Sequence, residues 1–505
     1  MTVRQLLQAA LAPNASALPG ESPGWARALD MPCGGVTHDS RSVRAGGVFV
    51  ALRGLRAEGA DFAPAALAAG AAAVVAERPA SAASGVPWIV VPDARLALAR
   101  LAAEFHAHPS RQMQVVGITG TNGKTTTSYI VSAIFEAAGI ACGVMGTVSY
   151  RIGDRELPAT RTTPEAPELQ SLLRQMADAG CGACAMEVSS HALALRRADA
   201  IEFAAGVFTN LTRDHLDFHA DMEDYFAAKR RLFEMLPAGA PAVVNVDDPR
   251  GAAMAEAGGR PVTYAVNRAA DVTAGPLAVS LHGLEFDVRL PQGTIHVTSA
   301  LVGRPNVYNI LAAAAVAAAF DLPFDAVEHG IARLQGVPGR FERVSTSADE
   351  VTVIVDYAHT DDALRNLLEM ARPLATRRLI TVFGAGGERD RTKRPLMGMV
   401  AARLSDVVVV TSDNPRSEEP QRIIDEINLG AQPEARQRGV SIVTIVDRRD
   451  AILHAVGAAG AGDVVLIAGK GHEKYQEIAG RSLPFDDGAV AREALAARRR
   501  GLQVG

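Results

Sequence analysis

The stretch Gly120-Thr121-Asn122-Gly123-Lys124-Thr125-Thr126 contains the residue types that a phosphate group needs. Glycines let the backbone turn its N–H groups onto an anion, a lysine reaches the terminal phosphates, and a threonine hydroxyl can hold Mg²⁺. The spacing is G-x-x-G-K-T rather than the usual G-x-x-x-x-G-K-[ST]. A Gly-rich turn without a ligand is the bland alternative, and the flanking residues argue against it. The apolar run 113–118 reads as a buried parallel strand. After Lys124 the spacing Ile130, Ile134, Ala138 is helical, with Gly139 as a stop. Strand, glycine turn and helix N-terminus form an anion cradle, so Gly120 to Thr126 are expected to bind ATP.

Further candidates sit where apolar runs end in polar residues, the place where ligands bind in parallel sheets. The run 183–188 carries Glu187 and leads into Ser189-Ser190-His191. A carboxylate at a strand end beside such a loop suits a nucleotide-bound Mg²⁺. The run 203–209 leads into Asn210-Leu211-Thr212-Arg213-Asp214-His215-Leu216-Asp217, and 242–244 into Asn245-Val246-Asp247-Asp248. Lys229 lies in a helical pattern and, taken alone, reads as a solvated helix lysine. Near the start, Thr37-His38-Asp39-Ser40-Arg41 and the Leu55, Arg56, Ala57 turn set short polar groups and arginine beside glycines. They could take a phosphorylated ligand, although Ser-Arg turns are also common surface features. Near the end come Gly384-Ala385-Gly386-Gly387-Glu388-Arg389-Asp390, Ser412-Asp413-Asn414-Pro415-Arg416 and Gly469-Lys470-Gly471-His472-Glu473. Arginines beside acids and amides suit a zwitterionic, carboxylate-rich ligand, because guanidinium binds carboxylate bidentately. The glycine cluster lacks G-x-G-x-x-G spacing, which rejects NAD.

To position these groups, 505 residues should supply about three domains. The expected division is 1–110, 111–345 and 346–505. The first has short strand signals at 48–52, Ala73–Ala76 and 88–91, and His106 to Arg111 reads as a linker with solvated histidines. The second alternates apolar runs with helical segments, the pattern of a parallel α/β sheet. In it a loop, 303–309, should precede an Ala-rich buried helix. The third repeats the alternation, with strands at 351–355, Leu379–Phe383, Val407–Val410, 442–446 and Val464–Ala468, a second, Rossmann-like doubly wound sheet. The net charge of −5 argues against a nucleic-acid binder. Four cysteines make no disulfide framework, and Cys181 and Cys184, running into an apolar strand, read as core residues rather than zinc ligands. No uncharged apolar run reaches ~18 residues, so a cytoplasmic protein without membrane insertion is expected.

Together the motifs Thr-Gly-Thr-Asn-Gly-Lys-Thr-Thr from Thr119, Met-Glu-Val-Ser-Ser-His from Met186, Thr-Asn-Leu-Thr-Arg-Asp-His-Leu-Asp from Thr209, Asp-Tyr-Ala-His from Asp356 and Asp-Asn-Pro-Arg from Asp413 resemble the Mur ligases. These are ATP-dependent amide-forming enzymes of peptidoglycan precursor synthesis, and the short phosphate loop is that family's own form. The resemblance implies ATP and Mg²⁺ as cofactors, an acyl phosphate intermediate and a monomer. It implies that Lys124 gathers phosphate charge, that Glu187 and His215 hold metal with Thr125, and that Lys229 is carbamylated and holds a second Mg²⁺. Asn309 and Arg340 align with nucleotide-side residues. His38, Ser40, Leu55, Arg56 and Ala57 align with uridine-side contacts; Thr162, Thr163, Ser189 and Arg197 with residues holding the muramoyl dipeptide UDP-MurNAc-L-Ala-D-Glu. Arg389, Asp413, Asn414, Pro415, Arg416, Gly469 and Glu473 align with a meso-diaminopimelate pocket. In it Arg416 would grip a distal carboxylate that lysine lacks, and Glu473 the distal ammonium. Members that add lysine usually lack that arginine. Asp361, His38 and Leu195 depart from the family's usual residues, and the latter two bear on the muramoyl contacts.

Overall fold

The structure is a computed structural model, and it describes residues 1–11, 23–54, 58–80, 86–280 and 283–501. Leu55, Arg56 and Ala57 therefore lie outside the described residues. Among the described residues no helix is long and apolar enough to cross a membrane.

Three larger sheets follow one another along the chain. The first has four parallel strands, Val36–Thr37, Val48–Val50, Ala73–Ala76 and Trp88–Val90, in chain order. Helices Val3–Leu11 and Ala94–Phe105 close one face with Leu6, Leu7, Leu98 and Leu101. His108 is not simply solvated, since its Nε2 lies 2.7 Å from Glu104 one helical turn away.

The second sheet has Gln114–Thr119 near its middle, with Ala183–Glu187 parallel on one side and Ala205–Phe208 parallel on the other. Thr119 pairs with Phe208 and Ile118 with Glu187, so three motif-bearing strand ends emerge side by side. The crevice beyond such ends, where the chain leaves a strand in both directions, is where open α/β sheets bind ligands. The expected all-parallel sheet holds only for this middle. Gly283–Leu290 and Gly293–Ser299 form an antiparallel hairpin at one flank, and Ser149–Ile152 with Arg155–Pro158 forms another at the opposite flank. The cause is legible afterwards: Leu284, Phe286, Val288 and Leu290 are buried while Glu285, Asp287 and Arg289 face outward, the alternation of a half-solvated antiparallel strand.

A second correction concerns 303–309. The helix Arg304–Ala319 begins at Arg304, so most of the expected loop is its first turn and a half. Pro305 does not oppose this, because a proline in the first turn loses no intrahelical bond and presets φ. Asn309 thereby sits on a rigid buried helix.

The third sheet runs Glu342–Arg343, Thr352–Asp356, Val464–Ala468, Leu379–Phe383, Val407–Val410, Ser441–Thr444, parallel except for its first, antiparallel strand. Side chains then fasten this lobe onto the phosphate loop. Asn122 Nδ2 donates to Asp362 at 3.1 Å, Arg340 Nη2 to Thr125 Oγ1 at 3.0 Å, and Arg213 to Thr392.

Gly330 tests the packing beneath the site. Its helix, Phe324–Arg333, lies on helix Lys124–Ala137, and a Cβ there would come within 2.7 Å of Ile134 Cα and 2.8 Å of the Ala133 carbonyl oxygen. Gly330→Ala should therefore destabilise by about 1–2 kcal/mol, overpacking outweighing the ~1 kcal/mol helix preference for alanine. A lowered urea midpoint checks this.

Candidate active site

Both glycines of the phosphate loop are required by geometry. Gly120 has φ 146° and its missing Cβ would lie 1.9 Å from Thr209 Oγ1; Gly123 has φ 88°, and a Cβ would lie 2.4 Å from Asn309 Oδ1. The strand end after Phe208 braces the loop. Asn210 Oδ1 accepts from Asn122 N at 2.9 Å, Thr209 Oγ1 donates to Asn122 O at 2.7 Å, and Thr121 N donates to Asn210 O at 2.9 Å. Asn210 and Thr209 thus hold the loop's shape, a role the sequence reading did not give them. Thr125 and Thr126 are buried in the first turn of the following helix. Lys124 Nζ folds onto the loop's own carbonyls, Gly120 O at 3.0 Å and Thr121 O at 2.8 Å.

Glu187 and Lys229 flank the loop, and each is only 1 % exposed. The Glu187 carboxylate accepts from Thr147 N at 2.8 Å and Thr147 Oγ1 at 3.0 Å. Lys229 is not a solvated lysine. Its Nζ donates to Gly120 O at 2.8 Å and lies 4.3 Å from the Tyr225 ring centroid. Burial, reinforced by the charge of Lys124, pushes its pKa well below the ordinary lysine value. Burial likewise lowers that of Lys124, with Glu187 opposing. His215, in a left-handed backbone conformation at φ 56°, packs edge-on against His191 at 4.8 Å. Burial takes its pKa down to about 3 despite neighbouring Asp214, so the imidazole is neutral near pH 7. A carboxylate, a hydroxyl and a neutral imidazole are donors that suit a divalent cation; an ammonium is not, so Lys229 fits only after losing its charge. Among the described residues no group of three or more His, Cys, Asp or Glu is gathered to hold a metal.

A second cluster adjoins Glu187. Thr163 Oγ1 donates to Glu187 O at 2.9 Å and accepts from Ser189 N at 3.1 Å, while Thr162 Oγ1 lies 3.0 Å from Thr147 Oγ1. Arg197 spans Thr163 O at 3.2 Å and Glu165 at 2.8 Å. His38 of the first lobe feels the charges of Glu165 and Arg161, and its buried Nδ1 has no hydrogen-bond partner among the described residues. Ser40 opens a short 3-10 turn capped by Asp39. The expected dipeptide-side residues therefore come together, with His38 within range of the neighbouring Glu165 and Arg161 charges.

The third cluster is in the last lobe. Asp413 and Asn414 are buried, and Lys470 Nζ sits 3.4 Å from Asp413 Oδ1 and 2.6 Å from Asn414 Oδ1. Asn414 Nδ2 donates to Glu473 at 2.9 Å. Gly469, at φ 119°, lies against Asp413. Arg416, at φ 55°, is held by Gly387 O at 2.6 Å and Glu477 at 2.9 Å. Gly387 leaves room for Pro415, whose carbonyl oxygen a Cβ would meet at 2.0 Å. Arg389 is exposed, 3.8 Å from Asp217, with its stem beside Gly386 next to Arg416. Lys470 was missed as a site residue, although the motif Gly-Lys-Gly-His-Glu was visible.

The two ends are joined. Arg340, on Thr125 Oγ1, stacks over Tyr357 at 4.6 Å; Tyr357 lies 5.0 Å from His472, whose ring meets the Thr147 backbone. Phosphate loop, Glu187 and the 469–473 loop thus border one region.

The family model for the Mur ligase family catalytic domain matches residues 33–106, the Mur ligase middle domain 118–317 and the Mur ligase glutamate ligase domain 339–471. A UDP-N-acetylmuramoyl-L-alanyl-D-glutamate--2,6-diaminopimelate ligase of Geobacter metallireducens is 47% identical, covering 96% of this chain and 97% of its own. The chain belongs to the Mur ligase family. The ligase of the same name from Geobacter sulfurreducens is 49% identical over 93% of this chain and 95% of its own. A solved structure of such a diaminopimelate ligase is 34% identical with a TM-score of 0.68, covering 99% of both chains. The three-domain Mur ligase architecture accounts for the order of the three sheets.

In this Mur ligase the 386–388 loop that holds Arg416 is itself pinned by Arg394, a covered guanidinium bonded to Gly386 O at 3.1 Å and to Glu418 at 2.8 Å. Arg394 pulls the Glu418 carboxyl down to about 2. A depressed carboxyl contributes stability that is fully present above its unfolded value and lost as pH falls through the folded one. Glu418→Gln should thus flatten the wild-type loss of thermal stability between roughly pH 4.5 and pH 2, measured by melting temperature against pH.

Proposed function

We propose that this protein joins meso-diaminopimelate to UDP-MurNAc-L-Ala-D-Glu with hydrolysis of ATP, in peptidoglycan precursor synthesis. The observation that carries the reading is the unbroken run Thr125–Arg340–Tyr357–His472, which sets a phosphate cradle and an arginine- and acid-lined pocket on one border. The names of the Geobacter relatives supply the same substrates.

In the reaction the terminal D-Glu carboxylate attacks the γ-phosphorus, the bond to the β-phosphate oxygen breaks, and ADP leaves. The resulting acyl phosphate is attacked by a neutral amine; the tetrahedral adduct expels phosphate, and the amine gives up its proton. Negative charge gathers between phosphate and carboxylate, so preorganised cations lower the barrier. Lys124 supplies one, swinging from Gly120 O and Thr121 O onto phosphate, while Asn309, beside Gly123, and Arg340 line the nucleotide side. Thr125, Glu187 and His215 would hold Mg²⁺, and a carbamylated Lys229 a second Mg²⁺, which when bound would supply the remaining positive charge. A Lys229 amine made neutral by burial can add to CO₂ and release a proton, giving the anion that metal binding requires. Thr162, Thr163, Ser189 and Arg197 would hold the dipeptide, with His38, Ser40, Leu55, Arg56 and Ala57 serving the uridine end. Asp413, Asn414, Pro415, Gly469 and Arg389 shape the amino-acid pocket, in which Arg416 takes the distal carboxylate and Glu473 the distal ammonium. The three domains thus divide as 1–110 for the nucleotide sugar, 111–345 for ATP and 346–505 for the amino acid. A cytoplasmic monomer fits these water-soluble substrates.

A phosphate-release assay with the muramoyl dipeptide and a panel of amino acids tests the assignment: release should require meso-diaminopimelate, and equal use of L-lysine would overturn it. Arg416→Ala should raise the KM for diaminopimelate by ~100-fold or more while leaving ATP binding intact, because the partner carboxylate is left unpaired. Lys229→Ala should lower kcat by about 100- to 1000-fold, and added bicarbonate should not restore it.

A further inference from the structure

Two charged side chains unused in that reaction are buried behind the amino-acid pocket. The Arg448 and Asp487 side chains are both fully covered. Arg448 Nε and Nη2 donate to the Asp487 carboxylate at 2.8 and 2.7 Å. The same guanidinium donates from Nη1 to Ser412 O at 3.2 Å and from Nη2 to Ala468 O at 3.0 Å. Ser412 immediately precedes Asp413-Asn414-Pro415-Arg416, and Ala468 immediately precedes Gly469-Lys470-Gly471-His472-Glu473.

The strands leading to these two loops, Val407–Val410 and Val464–Ala468, are not neighbours, because Leu379–Phe383 lies between them. Ladder hydrogen bonds therefore connect the two loops only through the intervening strand. Lys470 bonds Asn414 directly, and behind that contact the guanidinium bonds the residue before each loop, Ser412 and Ala468, across the end of the intervening strand. Local stability does not explain the residue. Arg448 is the first residue of helix Arg448–Ala458, where the helix dipole disfavours a cation. A buried ion pair is also often no more stabilising than an apolar pair of similar volume. What an apolar pair could not do is donate to two carbonyls while anchored to a carboxylate. Asp487 begins the facing helix Asp487–Arg499 and fixes the plane of the fork.

We propose that Arg448, oriented by Asp487, is a positioning residue that sets the spacing between the Asp413–Arg416 and Gly469–Glu473 loops and thereby the fit of the incoming amine. The inference rests on the reading of that pocket given under Proposed function. It predicts an effect confined to one of three substrates. Asp463, whose side chain is also covered and pairs with Arg378 at the opposite end of the same sheet, provides a matched control.

The test is steady-state phosphate release by the full chain, with KM measured separately for ATP, UDP-MurNAc-L-Ala-D-Glu and meso-diaminopimelate. The variants are Arg448→Lys, Asp487→Asn, the apolar pair Arg448→Met with Asp487→Leu, and Asp463→Asn. The first and the apolar pair should raise the diaminopimelate KM by ~10- to 100-fold, the scale of a small misplacement of binding groups. The other two KM values should stay within about twofold. Asp487→Asn should give a smaller rise in the same KM, and Asp463→Asn should lower the melting temperature without moving any KM. An unchanged diaminopimelate KM in the Arg448 variants, alongside a lowered melting temperature, overturns the proposal and leaves the pair a structural feature. If substitution at 448 prevents folding, Asp487→Asn decides by the same KM, a rise supporting and no change overturning. A wild-type enzyme indifferent to diaminopimelate would overturn the proposed function and this inference together; wild-type use of it with unmoved variants overturns the inference alone.

Discussion

One carbonyl oxygen receives two lysines. Gly120 O accepts from Lys124 Nζ at 3.0 Å and from Lys229 Nζ at 2.8 Å, in a region that excludes water from Lys229 almost completely. Two ammonium groups roughly 5 Å apart repel by about 3 kcal/mol at an effective dielectric near 20, in addition to the desolvation each bears. Burial and the charge of Lys124 together hold the Lys229 pKa well below the ordinary lysine value. The more deeply buried lysine, Lys229, is the one whose charge is least supported. A neutral amine beside a phosphate cradle is a nucleophile for CO₂, and the carbamate proposed for Lys229 would reverse the local charge. The proposed metal-ligand role of Lys229 and phosphate-binding role of Lys124 both depend on this single arrangement.

The second constraint is that amide formation needs two reactants brought to that loop from different lobes. Arg340 does this physically. Its guanidinium lies on Thr125 Oγ1 while its plane covers Tyr357, whose ring neighbours both His359 and His472. Close backbone approach makes the joint tight: Cβ atoms at Gly339 and Gly471 would meet His472 N at 2.1 Å and Gly339 O at 2.7 Å. A glycine at each position lets the 337–341 segment and the 469–473 loop touch directly. The 337–341 segment, which carries Arg340 to Thr125, is thereby fixed against the 469–473 loop.

Much of this was legible in the sequence because strand ends in parallel sheets combine long apolar runs with abrupt polar residues. Ala73–Ala76, Leu379–Phe383, Val407–Val410 and Val464–Ala468 are found as read. The antiparallel hairpin at Gly283–Ser299 was not, since its alternating pattern was passed over in favour of the surrounding βα repeat. Helix Arg304–Ala319 starts ahead of its alanine run because Pro305 serves as a helix starter. Lys229 shows the limit of local reading: its neighbours spell a surface helix, and only the tertiary position under Gly120 makes it buried. Lys470 and Arg448 escaped for the same reason, since a lone basic residue carries no signal of the strand ends it will span.

The most direct test of the account is the ionisation of Lys229 itself, followed by NMR of the isotopically labelled side chain in protein equilibrated with and without bicarbonate. The account predicts an amine that stays neutral well below the ordinary lysine range in the absence of bicarbonate, and a carbamate carbon signal assigned to Lys229 in its presence. A Lys229 that titrates near the ordinary lysine value and never acquires the carbamate would contradict it.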